Sequence, residues 1–452
     1  MKWSIKIFFI LIFGSISTNC NYNRKQTIVN KAFSYKSPSK IMEMNVEKLM
    51  DIIVYDVFSP PVASRIYSYA ALAQYETIRF NDTTFHSFRP KLNGFDPLPQ
   101  PDSLKKYNFT IAAVSAFSTI ALKVIFNKDS LRNYIDYALE ILRKDTHNEI
   151  YKRSLIFGEK IGNTIWKRVA KDFYKETRGM AKYNVQRIEG KWQPTTPDYP
   201  DATEPWWNKI RPLVLDKCDQ CKPPAPFYYD TSKNSLFFKD AIKLFNLSAE
   251  LNDSLKNIAT FWDDNPFVMD HKGHASFDTK KMTPGGHKIE IAAIACRTNH
   301  SNEVKTAEAF ALTSIAISDG FISCWDEKYR SETVRPITFI NKYINADWQP
   351  FLQTPPFPEY PSGHSVISSS AAVVLTHLFG NNFNFEDSSD FKYQGMVRNF
   401  SSFYEAADEA GISRFYGGIH FMNAINQVSA QGKKVGKVVL QKLILTNNVP
   451  KL

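Results

Sequence analysis

Pro358-Glu359-Tyr360-Pro361-Ser362-Gly363-His364-Ser365 leads directly into an apolar run of Val366, Ile367, Ala371, Ala372, Val373, Val374 and Leu375. The apolar run is helical in spacing, and Pro-Ser-Gly stands where its first turn begins. The first turn of a helix has backbone N–H groups with no carbonyl to take them, and the helix dipole makes that end positive. Such a terminus is a ready cradle for an anion. Ser362 adds a hydroxyl, Gly363 permits close backbone approach, and His364 stands at the mouth, placed to give or take a proton.

Working outward, the chain repeats this helical character. Met50, Ile53, Val54 and Val57 recur at helical spacing from Glu43 onward. Ser59-Pro60-Pro61 ends that helix and starts another, with Ala63, Ile66, Tyr67, Ala70 and Ala73 on one face. Asn108 to Phe126 is apolar on most faces and predicts a central buried helix. Ser130 to Leu142 and Glu149 to Phe173 are amphipathic. Residues 176–232 are rich in Pro, Trp, Tyr and Asp, and predict a long ordered loop that covers part of the molecule. Helices resume near Asn234, and a second loop runs from Asp263 to Gly286. No run of alternating β-branched residues and no internal repeat occurs. The expected fold class is all-α, with two packed helical bundles. The first spans 43–240 with its covering loop, and the second spans 241–452.

Two further segments carry chemistry. Trp325-Asp326-Glu327-Lys328 is followed by Arg335-Pro336. Lys328 and Arg335 are seven apart, so on one helix they share a face, with Pro336 limiting it. Lys offers a point charge and Arg a planar fork, a pair suited to one anion. Later, Ser413-Arg414-Phe415-Tyr416-Gly417-Gly418-Ile419-His420 supplies a third cation and an imidazole. The two glycines interrupt an ideal helix there. Each residue alone has a plain structural reading: a solvated Lys, an ion-paired Arg, a packed His. His147, His300 and His377 are read that way. Three cations, a helix N-terminus and two histidines in one chain suit a single tetrahedral oxyanion.

The chain has 452 residues and a formal net charge of +11, but its Lys and Arg form no long run, which argues against nucleic-acid binding. Lys2 and Lys6 flank the apolar stretch Ile5 to Phe13, then Ser15, Ser17, Thr18 and Cys20 follow. That order predicts a secretory signal over residues 1–20 and a polar tether over 21–42. Cys20 is placed as the first residue of a lipoprotein, although Ser17-Thr18-Asn19 lacks the usual aliphatic residue. A periplasmic protein and an outer-membrane-anchored lipoprotein both stay open. No later segment is expected to cross a membrane. Cys218 and Cys221 form a lone CxxC, expected to be a local disulfide in an exported protein. Cys296 and Cys324 are expected as buried thiols.

The pattern KX6RP, PSGH and SRX5H resembles the shared site of vanadium haloperoxidases and type 2 phosphatidic acid phosphatases. FISCWDEK (321–328), PPFPEYPSGH (355–364) and SPPVASRIYSYA (59–70) resemble the bacterial vanadium haloperoxidase branch. The matches span most of the chain after residue 45, with the middle alike only in character. The resemblance implies a chloroperoxidase-like helical fold and a vanadate cofactor. Lys328, Arg335 and Arg414 would hold equatorial oxygens of vanadate, with Ser362 and the backbone N–H of Gly363. His420 would ligate vanadium and His364 would be the acid–base residue. Trp325 and Phe357 would line the halide side. Met422-Asn423-Ala424 departs from the family pattern, where an acidic residue is common near this point.

Two chemistries share such a site, because vanadate mimics phosphoryl transfer. In the favoured one, hydrogen peroxide oxidises a halide, iodide before bromide, to a hypohalous species. The aromatic pair Trp325 and Phe357 favours it, since an apolar rim suits a weakly hydrated halide and excludes water. In the alternative, an exported acid phosphatase, His420 is the nucleophile and His364 protonates the leaving alkoxide. A non-catalytic oxyanion-binding lipoprotein is the third reading.

Overall fold

The computed structural model describes residues 37–445 apart from 267, 273, 274 and 279, with the backbone alone described for 269–272 and 275–278. The expected signal, most of the tether and Cys20 lie outside the described residues. The helices of eight residues or more are α1 (Pro38–Tyr55), α2 (Pro60–Ile78), α3 (Phe109–Val124), α4 (Lys128–Lys144) and α5 (Asn148–Val169), then α6 (Leu236–Ala249), α7 (Asp253–Phe261) and α8 (Pro284–Thr298). They continue with α9 (Glu303–Ser331), α10 (Pro336–Tyr343), α11 (Gly363–Phe379), α12 (Phe403–Tyr416) and α13 (Ser429–Leu443). The fold is all-α in character. It also carries two small antiparallel hairpins that alternation did not signal: β1 (Met269–Lys272) with β2 (Ala275–Asp278), and β3 (Phe385–Asp387) with β4 (Arg398–Phe400).

α9 is the spine. It lies against α1, α2 and α8 toward the first half of the chain, and against α11 and α13 toward the second. Asn302 caps its start, accepting from Lys305 N at 2.8 Å, and Glu303 sits in the first turn. Its residues from Ala307 through Lys328 are buried throughout. By length and composition α9 could cross a membrane, against expectation. Its most apolar window is wholly buried inside the protein, so the core accounts for that composition.

α11 packs between α9, α12 and α13. The approach of α13 depends on glycine. A Cβ at Gly432 would meet the carbonyl oxygen of Val366 at 2.1 Å, so no side chain fits. The expected loop of the first half runs with little regular structure from Gly179 to Ser235 and is fastened to α9. Leu213, Val214 and Leu215 donate their N–H groups to the buried Asp319 carboxylate at 2.7–2.8 Å. Thr203 accepts at its carbonyl from Trp325 Nε1 (3.2 Å) and Tyr329 Oη (2.7 Å).

Three expectations need correction. The first helix begins at Pro38, inside the supposed tether, because Pro is favoured at a helix's first position. Lys328 and Arg335 do not share a helix: α9 stops at Ser331, Glu332 turns left-handed (φ 53°), and Arg335 is the residue before α10. Pro336 starts that helix and does not end the previous one. Finally, Cys218 and Cys221 are free thiols. Cys218 is bonded to Asp326 Oδ1 at 3.4 Å and Cys221 is buried beside Leu215 and Val435. Burial pushes both thiols up to about 11, so neither is a ready thiolate. Cys296 and Cys324 are buried thiols, as expected.

Candidate active site

The segment Pro355–Pro361 is the frame on which the site is built. Lys328 Nζ donates to the carbonyls of Pro358 (2.9 Å), Glu359 (3.1 Å) and Pro361 (2.6 Å). Arg335 Nε donates to Phe357 O at 2.8 Å. So the two cations meet not along one helix face but by gripping the same bent stretch of backbone, Phe357 to Pro361. Their Nζ and Cζ atoms stand 4.8 and 5.0 Å from the Phe357 ring centre. Trp325, one turn before Lys328, packs on Phe357 with ring centres 5.1 Å apart.

α11 starts from this frame. Ser362 is its N-cap, its Oγ accepting from Ser365 N at 3.3 Å. Gly363 and His364 occupy the first turn, where their N–H groups have no intrahelical acceptor. A Cβ built on Gly363 would find Trp325 Cζ3 at 3.7 Å, an ordinary contact, and nothing else within 4 Å. Packing therefore does not demand glycine there. A side chain would take up cavity space instead.

The third segment closes the site. α12 ends at Tyr416, and Gly418 adopts φ 78°, which turns the chain back. Arg335 Nη1 donates to Ile419 O at 2.8 Å and lies 3.3 Å from His420 Nε2. Arg414 donates to Ala259 O at 3.0 Å and stands 3.8 Å from Asp263. Pro60, Asp264, Asn265, Pro284, Phe321 and Pro355 wall one cavity together with Trp325, Phe357, Gly363, His364, Arg414, Ile419 and His420. The sequence expectation that three distant segments converge is thus met in the geometry. Lys328, Arg335 and Ser362 are fully buried just behind that wall.

The electrostatics are those of an anion site. Burial lowers Lys328 to about 7 and Arg335 to about 10, because no anion neutralises them fully. His364 falls to about 4, first through burial and then through Arg414. His420 is held well below its usual value by burial, then by Arg335 and Lys328. Arg335 Nη2 is buried with no hydrogen-bond partner among the described residues. A buried donor without a partner is costly, and an oxyanion in the cavity would satisfy it. Vanadate fits this donor set: cationic and N–H donors, a hydroxyl, and one neutral imidazole nitrogen.

Several residues of the site were not foreseen. Glu359 accepts both His420 Nδ1 (2.9 Å) and Phe421 N (3.0 Å) on Oε1. That bond leaves the lone pair of His420 on Nε2. Burial raises the Glu359 carboxyl, with Arg335 and Lys328 pulling the other way toward the charged form. The acidic residue missing after the third motif is thus supplied from the second. Asp263 and Asp264 were also missed. Their signal, an acidic pair set in the apolar context FWDDNPF, names no partner.

The comparisons with known proteins fall on this geometry. The crystal structure of the first bacterial vanadium-dependent iodoperoxidase matches with TM-score 0.85 and 40% identity, covering 91% of this chain and 98% of that one. The chain belongs to the vanadium haloperoxidase family. Residues 308–447 match the model of the VCPO second helical-bundle domain, a span that holds all three motifs. Two structures of bacterial vanadium-dependent chloroperoxidase, holo and apo, share the fold at TM-scores of 0.62 and 0.65 with 15% and 16% identity. They cover 87% of this chain and 92% and 94% of their own. No curated protein matches by sequence.

Proposed function

We propose that this haloperoxidase-family chain is a vanadium-dependent enzyme that oxidises halide with hydrogen peroxide, iodide in preference to bromide. The carrying observation is that Gly363, His364, Arg414 and His420 line one cavity, with Arg335 Nη1 3.3 Å from His420 Nε2 and Lys328 holding the backbone frame beside it. The likeness to a bacterial iodoperoxidase supports the choice of activity and of iodide. Vanadate, when bound, supplies a Lewis-acidic centre that activates peroxide toward a halide.

The chain's own residues then have these roles. His420 Nε2 would ligate the vanadium, its tautomer fixed by Glu359. Arg335, Arg414 and Lys328 would neutralise the oxyanion, and Ser362 and the Gly363 N–H would hold its oxygens. His364, on the cavity wall, would take and return the proton of the reaction. Trp325 and Phe357, with Phe321 against Trp325 at 5.2 Å, exclude water from the halide side. Export is part of this reading. It rests on Lys2, Lys6 and the apolar stretch before Cys20.

The test is direct. Purified metal-free protein is given vanadate, then iodide or bromide with hydrogen peroxide, and in parallel a chromogenic phosphate ester. Vanadate-dependent halide oxidation is expected. Ester hydrolysis that vanadate inhibits, without halide oxidation, would assign the chain to the phosphatases. Neither activity would leave a binding protein.

A further inference from the structure

Behind His364 lies a buried charged cluster that no motif marks. His287, on α8, has carboxylates on both ring nitrogens: Asp264 Oδ1 is 2.9 Å from Nδ1, and Asp387 Oδ2 is 3.1 Å from Nε2. All three side chains are at most 2% exposed. A neutral imidazole has one donor and one acceptor. Two carboxylates on its two nitrogens require two donors, so the ring is an imidazolium or one carboxyl is protonated. The surroundings favour the imidazolium. The ring stacks on Trp262 with centres 4.5 Å apart, an arrangement that attracts a cation. Asp387 Oδ1 already accepts from Ser389 N (3.0 Å) and Ser389 Oγ (2.5 Å), which stabilises its anion.

The far oxygen of Asp264 faces the site. Asp264 Oδ2 is 3.7 Å from His364 Nε2, and neither atom has a hydrogen-bond partner among the described residues. Hydrogen bonds of catalytic groups are often long before the site is loaded. An ionised carboxylate beside Nε2 favours the tautomer of His364 with its proton there.

We propose that His287, as an imidazolium at neutral pH between Asp264 and Asp387, is a positioning residue that keeps Asp264 ionised and aimed at His364, thereby fixing the tautomer and orientation of the acid–base ring. This rests on the haloperoxidase reading for the role of His364. The charges facing the cluster agree with it. Burial opposes the charge on His287, yet Asp264 and Asp387 outweigh it and raise the ring to about 9. Burial likewise opposes ionisation of Asp264, but His287 and then His364 hold that carboxyl well below its usual range. Lys288, Nζ 3.5 Å over Trp262, is lowered by burial to about 8, and Asp390 is raised by burial and by Asp264 to about 7. Arg414 and Lys288 also face His364. Asp263 is tied to Lys281 and stands by Arg414.

Two variants separate positioning from mere scaffolding. His287→Gln removes the charge and one of the two contacts. Asp387→Asn perturbs the same scaffold but leaves His287 paired with Asp264. On the vanadate-loaded enzyme, His287→Gln is expected to lower kcat at least 10-fold, with KM for halide and the vanadate Kd of the metal-free protein changing less than threefold. Asp387→Asn is expected to lower kcat less than threefold. A folded His287→Gln with kcat within threefold of wild type overturns the proposal, as does an equal loss in both variants. Should His287→Gln not fold, long-range ¹H–¹⁵N spectra of wild-type protein labelled at histidine decide. One imidazole doubly protonated at pH 7.5 and perturbed by Asp387→Asn is expected, and its absence overturns the proposal. Wild-type protein inactive with vanadate sinks the haloperoxidase reading separately, and the spectra then stand as the test of His287.

Discussion

His420 Nδ1 lies 2.9 Å from Glu359 Oε1, and the same oxygen takes the N–H of Phe421. The carboxylate that orients the imidazole therefore comes from the Pro355–Pro361 frame, 61 residues away in sequence. This couples the metal-binding nitrogen to the backbone that Lys328 and Arg335 also grip.

Glu359→Gln tests that coupling. The amide keeps the volume but loses the charge that raises the basicity of His420. Vanadate affinity of the metal-free protein should fall by about 10–100-fold, the usual cost of removing such a partner. Calorimetric titration with vanadate measures it. Affinity unchanged within threefold would show that Glu359 serves only to fasten Phe421.

Gly363→Ala should leave stability close to wild type, because its Cβ meets only Trp325 at an ordinary 3.7 Å. A loss of vanadate affinity without a change in Tm is expected, since the methyl group enters the space where the anion sits. A large fall in Tm would mean that packing, not the ligand, requires glycine.

Lys328→Met removes the donor to three buried carbonyls, those of Pro358, Glu359 and Pro361. Unsatisfied buried acceptors cost about 1–3 kcal/mol each, less whatever is regained by not burying an ammonium. A net loss of about 2–4 kcal/mol in urea unfolding is expected, together with loss of vanadate binding. A variant as stable as wild type would contradict the view of Lys328 as the clasp of this frame.

Much of this was legible in the sequence, and the limits have physical causes. Pro361-Ser362-Gly363 and the run from Val366 to Leu375 read correctly as the start and body of a helix, because breakers and apolar periodicity are local. The cations were identifiable by type and order. Their arrangement was not: Pro336 can end one helix or begin another, and the left-handed Glu332 that separates them carries no glycine signal. Glu359 stood inside a quoted motif, yet its contact with His420 is long-range and obeys no spacing rule. The Asp264–His287–Asp387 cluster joins three segments for the same reason. The CxxC spacing suggested a disulfide, whereas Cys218 faces Asp326.

The His287 cluster also predicts a pH dependence of stability. Its folded-state value of about 9 lies above the ordinary imidazole value near 6.5. Its contribution is therefore complete below about pH 6.5 and is lost as pH rises through 9, on the order of 3 kcal/mol in all. Lys288 is lowered to about 8 and shifts stability in the opposite sense, so the comparison must be between proteins. The stability gap between wild type and His287→Gln, measured by urea unfolding, should be widest at pH 6 and narrow by that amount at pH 9.5. A gap independent of pH would contradict a charged His287.

Calorimetric titration of metal-free wild-type protein and His420→Ala with vanadate decides the most. One saturable site per chain is predicted for wild type, weakened at least 100-fold in the variant. No saturable binding by wild type, or equal affinity in a folded variant, would contradict the claim that three distant segments build one vanadate site.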